Sequence, residues 1–398
     1  MQNTDQSIIY LDHCATTPVD STVLDTMLPY FKEYYGNASS VYHKLGRKAA
    51  EAVDTARNQV AKLLHASAKE IIFTSGATEA INQALKGIFF HYQKIGKHII
   101  TCETEHPAVL DTCNYLSKKG ADIQKLPVDR KGNISLDDLR QAIRPDTILI
   151  CLMFANNETG VVHPIEQIGE IAQEHHVLFF CDATQAAGKI PINVENLHID
   201  LLALSAHKIY GPKGVGALYI KRRSAPIQIG SLLQGGKQEN NLRAGTLNVP
   251  GIVGLGAAAF LAMEKENEEI DRLNYLRNHL ENSLLKLPET FLNGDKLNRL
   301  PHVSNICFRY VKSVEMMTNL PQIALSVGSA CASGSLDPSH VLIAMGLSKE
   351  EAESSIRFSL GYSTTELQIN QTIELIINAI GNIRDNSPLW QLHKAGVY

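Results

Sequence analysis

Lys208 ends an apolar run, Leu201-Leu-Ala-Leu-Ser205, in the stretch Ser205-Ala-His207-Lys208, and a Gly/Pro turn separates it from a second apolar run beginning at Val215. A lysine in a hairpin loop is ordinarily a solvated surface cation. Between two buried strands it opens into a cleft instead, where lost solvation lowers its pKa and makes it a nucleophile or Schiff-base partner. Three more polar clusters follow apolar runs: Thr104-Glu-His106, Ala155-Asn-Asn157-Glu, and Asp182-Ala-Thr-Gln185. Any one of these reads as a turn; four of them, each at a strand end, read as one site. Thr74-Ser-Gly-Ala77-Thr78-Glu79 joins a short apolar run to a helical pattern. Free N–H groups at such a helix start, with hydroxyls beside them, suit a phosphate, and simple N-capping is the alternative reading.

A pocket holding these groups contains what pyridoxal phosphate requires: a lysine for the aldehyde, a carboxylate for the ring-nitrogen proton, and a phosphate cradle. Lys208 takes the first role and Asp182 the second, through a charge-assisted hydrogen bond. Gln185 and Asn157 reach the ring oxygen side; Ala77, Thr78, Ser205 and His207 reach the phosphate. His106 stacks on the ring and moves protons near neutral pH. Cys331 lies among glycines and serines in Gly328-Ser-Ala-Cys331-Ala-Ser-Gly. That setting is accessible, unlike those of Cys102, Cys151 and Cys181, which sit in apolar runs and read as inert core residues.

The elements that must position these groups follow a β/α alternation. Strands are expected at Ile8–Leu11, Ile71–Phe73, His98–Thr101, Asp122–Pro127, Ile148–Phe154, Val177–Cys181, Leu201–Ser205 and Val215–Ile220. Helical patterns lie between most of them, including one from Pro18 to about Tyr35 and one from Lys44 to His65. Near-continuous apolar strands imply a mostly parallel sheet covered on both faces, with the ligand beyond the strands' C-terminal ends. Residues 234–246 form a polar, Gly-rich loop. No G-x-x-x-x-G-K register fits it, because Gly230 and Gly235 are followed by Gly236 where Lys is required, so a P-loop is excluded. From Pro250 to about Leu287 a long helical pattern, broken or kinked, leads into a second unit. That unit carries a strand at Val303–Arg309, the Cys331 loop, a strand around Arg357 and a final helix over Thr365–Arg384.

A chain of 398 residues is long enough for one large and one small domain, and 44% hydrophobic with 20% charged residues is ordinary globular composition. The formal net charge of −4 gives no electrostatic reason to bind nucleic acid or an anionic membrane. No apolar run spans a membrane and the N-terminus has no targeting character, which points to the cytoplasm. Seven scattered cysteines without C-x-x-C argue against disulfides and a zinc ribbon.

Together the motifs Thr74-Ser-Gly-Ala-Thr-Glu79, Thr104-Glu-His106, Asn156-Asn-Glu158, Asp182-Ala-Thr-Gln185, His207-Lys-Ile-Tyr-Gly-Pro-Lys-Gly214, Gly245-Thr246, Gly328-Ser-Ala-Cys331 and Ser355-Ile-Arg357-Phe-Ser resemble those of the class V aminotransferase family, specifically cysteine desulfurases of the IscS/NifS type. The resemblance covers nearly the whole chain. It implies the α/β fold of type I pyridoxal phosphate-dependent transferases (aspartate aminotransferase-like). A large cofactor-binding domain over 15–260, with a mostly parallel seven-stranded sheet, would join a smaller α+β domain over 1–14 and 261–398. It implies a homodimer, with Thr246 reaching the partner's phosphate, and Arg357 clamping the substrate carboxylate with help from Asn157. The implied reaction turns L-cysteine into L-alanine. Lys208 acts as base at Cα, His106 helps deprotonate the substrate thiol, and Cys331 takes the sulfur as a persulfide. Sulfur then passes to acceptor proteins such as an iron–sulfur scaffold or thiolation enzymes of tRNA or DNA. No intrinsic metal is implied; Cys331 is the residue expected to hold a cluster, transiently, during transfer. A selenocysteine lyase, a related aminotransferase and a catalytically silent binding paralogue are the competing readings. Three departures stand out: His13-Cys14 in a further motif, Asp12-His-Cys-Ala-Thr-Thr17, where Asp-Asn-Asn-Ala-Thr-Thr is usual, Ala38 where Pro is usual, and Ala244 where Ser is usual. The short stretch after Trp390 leaves the sulfur acceptor open.

Overall fold

The computed structural model describes residues 8–327 and 337–396, with the side chains of 266 and 267 excepted. Among these residues twelve strands form: β1 (Ile9–Tyr10), β2 (Ile71–Thr74), β3 (His98–Cys102), β4 (Asp122–Leu126), β5 (Thr147–Met153), β6 (Leu178–Asp182), β7 (Leu201–Ser205), β8 (Gly216–Ile220), β9 (Thr290–Asn293), β10 (Val303–Phe308), β11 (Ile323–Ala324) and β12 (Ser355–Ser359). Seven of them form one sheet in the order β2-β8-β7-β6-β5-β3-β4. β4, β3, β5, β6 and β7 run parallel; β8 is antiparallel to both β7 and β2. The reversal has a local cause. Ten residues join β7 to β8, too few for a helical crossover, so the chain returns as a hairpin.

Alternation along these strands feeds two cores. Phe179, Leu202 and Leu204 pack into one face, and Phe180, Leu201 and Ala203 into the other. The helices Lys44–Leu63 and Ala77–Tyr92 cover opposite faces of the sheet. A second sheet, β12-β10-β9, is antiparallel and packs with the helix Glu366–Asp385 around a third core. β1 pairs parallel with β11 and Asp12 bridges to Ser359, so the start of the chain sits against this second sheet.

Two helical expectations change. The expected helix from Pro18 to Tyr35 is two short pieces, Ser21–Met27 and Pro29–Lys32. Pro29 lacks the N–H that a continuous helix needs, so it starts a new turn instead. The expected break after Pro250 is absent: Val249–Leu284 is one helix of 36 residues, about 54 Å long. Its first half, from Val249 to Ala262, belongs to a core of the large sheet, and its second half, from Leu273 to Leu284, to the core of the small one.

The 234–246 loop is anchored rather than loose. Glu239, Asn240 and Asn241 all adopt left-handed backbone conformations, with φ of 46°, 55° and 66°. Such residues cost energy unless held. The hold is the buried Glu239 carboxylate, bound at 2.6 and 2.8 Å by both Nη atoms of Arg57 and at 2.7 Å by the Phe73 N–H. Arg57 also donates to the Ile71 carbonyl at 2.6 Å. Arg57 and Glu239 thus satisfy the outer edge of β2, where a neighbouring strand would otherwise be needed.

Candidate active site

The parallel strands end around a cavity of about 610 Å³. The start of the helix Ala77–Tyr92 after β2 contributes Ala77 and Thr78, and the turn after β3 contributes His106. Asn157 comes from beyond β5, Asp182 and Gln185 from the end of β6, and Ser205, His207 and Lys208 from the end of β7. Arg357 reaches it from β12, and Cys14, Ala15 and Thr16 from the start of the chain. Thr246 is exposed and does not line this cavity. Cys331 lies outside the described residues.

Lys208 ends a single 3₁₀ turn, Ala206–Lys208. Gly211 lies so close to Ala206 that a Cβ there would sit 2.9 Å from the Ala206 Cβ, so the Gly-Pro turn packs tightly beneath the lysine. Lys208 Nζ donates to the carbonyls of Cys14 and Ala15 at 2.5 and 2.8 Å. Gln185 Nε2 donates to the same Cys14 carbonyl at 3.1 Å. Asp182 accepts two bonds from Thr184, its N–H at 3.0 Å and its hydroxyl, both at Oδ1.

His106 caps the helix Pro107–Ser117. Its Nδ1 accepts the Ala108 N–H at 3.0 Å, so the neutral ring carries its proton on Nε2. Burial lowers its pKa below 6.5; Asp182 opposes that shift and Lys208 adds to it. His207 is pushed down to about 4, first by burial and then by Lys208 and Lys213. The helix Ala77–Tyr92 starts at Gly76 without a side-chain cap, which leaves its first N–H groups to the cavity beside Ser205 and His207. Lysine, carboxylate, uncapped helix start and buried arginine fit pyridoxal phosphate and an amino-acid carboxylate.

Residues 9–372 match the aminotransferase class-V family model. The chain belongs to the class V aminotransferase family. Members of this family use pyridoxal phosphate. A cysteine desulfurase IscS of Anaeromyxobacter sp. (strain Fw109-5) is 50% identical over 390 residues, covering 98% of this chain and 96% of that protein. Among solved structures, a NifS-like protein is 37% identical with a TM-score of 0.88, covering 94% of this chain and 99% of that one. SspA in complex with cysteine is 38% identical with a TM-score of 0.79, covering 88% and 98%.

Several residues at the site carried no assigned role in the sequence reading. Glu105 is fully buried; its Oε1 accepts the Met153 N–H at 2.5 Å, continuing the β5 ladder beyond its pairing with β3. Burial, then the Asp182 charge, push its pKa well above the ordinary carboxylate range. Glu158, also buried, accepts the Ser339 hydroxyl. Asp12 holds Arg357. Acids inside the quoted motifs were the available signal for all three; their partners lie 181 residues or more away for Glu158 and 345 for Asp12.

Proposed function

We infer that this cavity carries out the cysteine desulfurase reaction, L-cysteine to L-alanine with sulfur passed on as a persulfide. The observation that supports it most is the meeting of Lys208, Asp182, His106 and Arg357 on one cavity. Pyridoxal phosphate, when bound, supplies an aldehyde carbon and an electron-accepting ring. Lys208 would hold its aldehyde carbon and, as a free amine, would move a proton at the substrate Cα. Asp182 Oδ2 holds the ring-nitrogen proton. Ala77, Thr78, Ser205 and His207 hold the phosphate, and Gln185 and Asn157 the ring oxygen side. Arg357, 1% exposed, takes the substrate carboxylate. His106 exchanges a proton with the substrate thiol. Because its Nε2 already bears the proton, it acts as a base only once the Ala108 bond is given up.

The finer parts of the reading are these. Cys331 receives the sulfur. The protein is a cytoplasmic homodimer, and Thr246 serves the partner's phosphate. Its acceptors are proteins, such as an iron–sulfur scaffold or a thiolation enzyme. The division at 15–260 against 1–14 and 261–398 belongs to the same reading. Exposed apolar side chains support the dimer: Leu24, Leu28 and Phe31 on the two short helices and the turn between them, and Tyr35 and Tyr42 just beyond, with Tyr42 96% exposed.

The test is direct. The purified protein should show the visible absorbance of lysine-bound cofactor and release sulfide and alanine from L-cysteine. Lys208→Ala should lose that absorbance band. Cys331→Ala should keep the colour and lose sulfide release; unchanged turnover would remove Cys331 from the mechanism.

A further inference from the structure

Arg357 already carries a carboxylate. Asp12 Oδ1 lies 2.6 Å from its Nη2, and the Asn157 carbonyl lies 2.9 Å from its Nη1. Its Nε–H is buried and has no partner among the described residues. The guanidinium is fully enclosed, yet the Asp12 side chain is 20% exposed. Asp12 is itself fixed: its carbonyl accepts the Tyr10 hydroxyl at 3.1 Å and the Ala15 N–H at 3.0 Å, and it bridges to Ser359. The other carboxylate in electrostatic range, Glu158, is occupied by the Ser339 hydroxyl. A buried guanidinium with one orphaned N–H and one resident acid has the layout of a half-filled site.

We propose that Asp12 is a specificity-determining residue that competes with the substrate carboxylate for Arg357. It occupies one edge of the guanidinium in the empty site, and an incoming carboxylate must share the fork with it or displace it. Two anions on one cation repel, so Asp12 weakens binding of any α-carboxylate, product included. This sets a modest affinity that lets alanine leave. It also penalises a second negative charge on the ligand more than the first. The inference rests on Arg357 being the carboxylate site.

The experiment compares L-alanine with L-alaninamide, which lacks the carboxylate charge. Their dissociation constants for the holoenzyme are read from the change in cofactor absorbance, an equilibrium measurement that needs no turnover. Asp12→Asn should raise the preference for alanine over alaninamide about tenfold. Asp12→Glu keeps a competing charge and should hold the preference within twofold of the parent protein. Either variant decides the matter if the other does not fold. A preference that stays level or falls in Asp12→Asn, or that falls in Asp12→Glu, would mean that Asp12 only orients Arg357, and overturns the proposal. Arg357→Lys separates the underlying assumption: it should collapse the preference, and an unchanged preference there shows that the carboxylate binds elsewhere.

Discussion

The Nε2 of His340 lies 3.0 Å from the carbonyl oxygen of Glu105, the residue next to His106. One position earlier, the Ser339 hydroxyl donates to the Glu158 carboxylate and accepts the Leu342 N–H at 3.2 Å. On the other side of 328–336, the Arg357 N–H donates to the Ser326 carbonyl at 2.8 Å. Both flanks of the segment that contains Cys331 are therefore tied to the elements that carry His106 and Arg357.

Ser339→Ala removes one of these ties and leaves a buried carboxyl group short of a donor. The loss should be about 1–3 kcal/mol of stability, measured by urea denaturation. An effect under about 0.5 kcal/mol would show that the Ser339–Glu158 bond is not made in solution.

His106 should govern the acid limb of the rate profile. Its lowered pKa keeps it neutral at pH 7, so kcat/KM should hold steady until below pH 6.5 and then fall as the ring protonates. His106→Gln should lose about 10²–10⁴-fold in rate and lose that limb as well. A limb that persists in the variant would assign the titration to another group.

Glu239→Ala should be among the more damaging changes away from the cavity. It leaves Arg57 without its buried partner and the Phe73 N–H unsatisfied. Removing one partner of a buried pair costs about 3–5 kcal/mol. The shift of the urea midpoint at constant slope measures it.

Acid stability should follow His163, which is fully buried and held at about 4 by burial alone, against 6.5 in the unfolded chain. As pH falls below 6.5 the unfolded chain takes up the proton first. The stability contributed by keeping this ring neutral is intact above pH 6.5 and lost progressively towards pH 4. The difference amounts to about 3 kcal/mol for one histidine. His163→Leu should reduce the slope of the stability curve between those pH values; an unchanged slope would place the acid sensitivity elsewhere, with His302, held further below 6.5, and then His13 the next candidates.

What was legible in the sequence was what the backbone writes locally. Apolar runs marked the strands, and the polar residues that follow them marked the cavity, because strand ends in such a sheet converge on one side. Lys208, Asp182, Asn157 and His106 were found that way. Arg357 sits within an apolar run of its own and needed the motif match. The partners that hold the site were not legible. Asp12 meets Arg357 across 345 residues, Glu239 meets Arg57 across 182, and Glu158 meets Ser339 across 181. Such pairings are set by how sheets and loops pack and leave no periodic trace. The continuous helix Val249–Leu284 was misread for a related reason. Gly251, Gly254 and Gly256 near its start look like breakers, yet a Cβ on Gly254 or Gly256 would meet Pro212 or Ala56 within 3 Å, so those two mark close packing.

That helix has a consequence for anyone dissecting the protein. A cut between 260 and 261, the natural place to separate a large from a small part, falls inside a continuous helix rather than in a linker. The N-terminal fragment would keep Val249 to Ala259 and lose Ala262 from its core. The C-terminal fragment would begin with a helical stub whose first apolar core contact is Leu273. The two halves behave as beams sharing one spar, and fragments cut there are expected to recover structure only when expressed together.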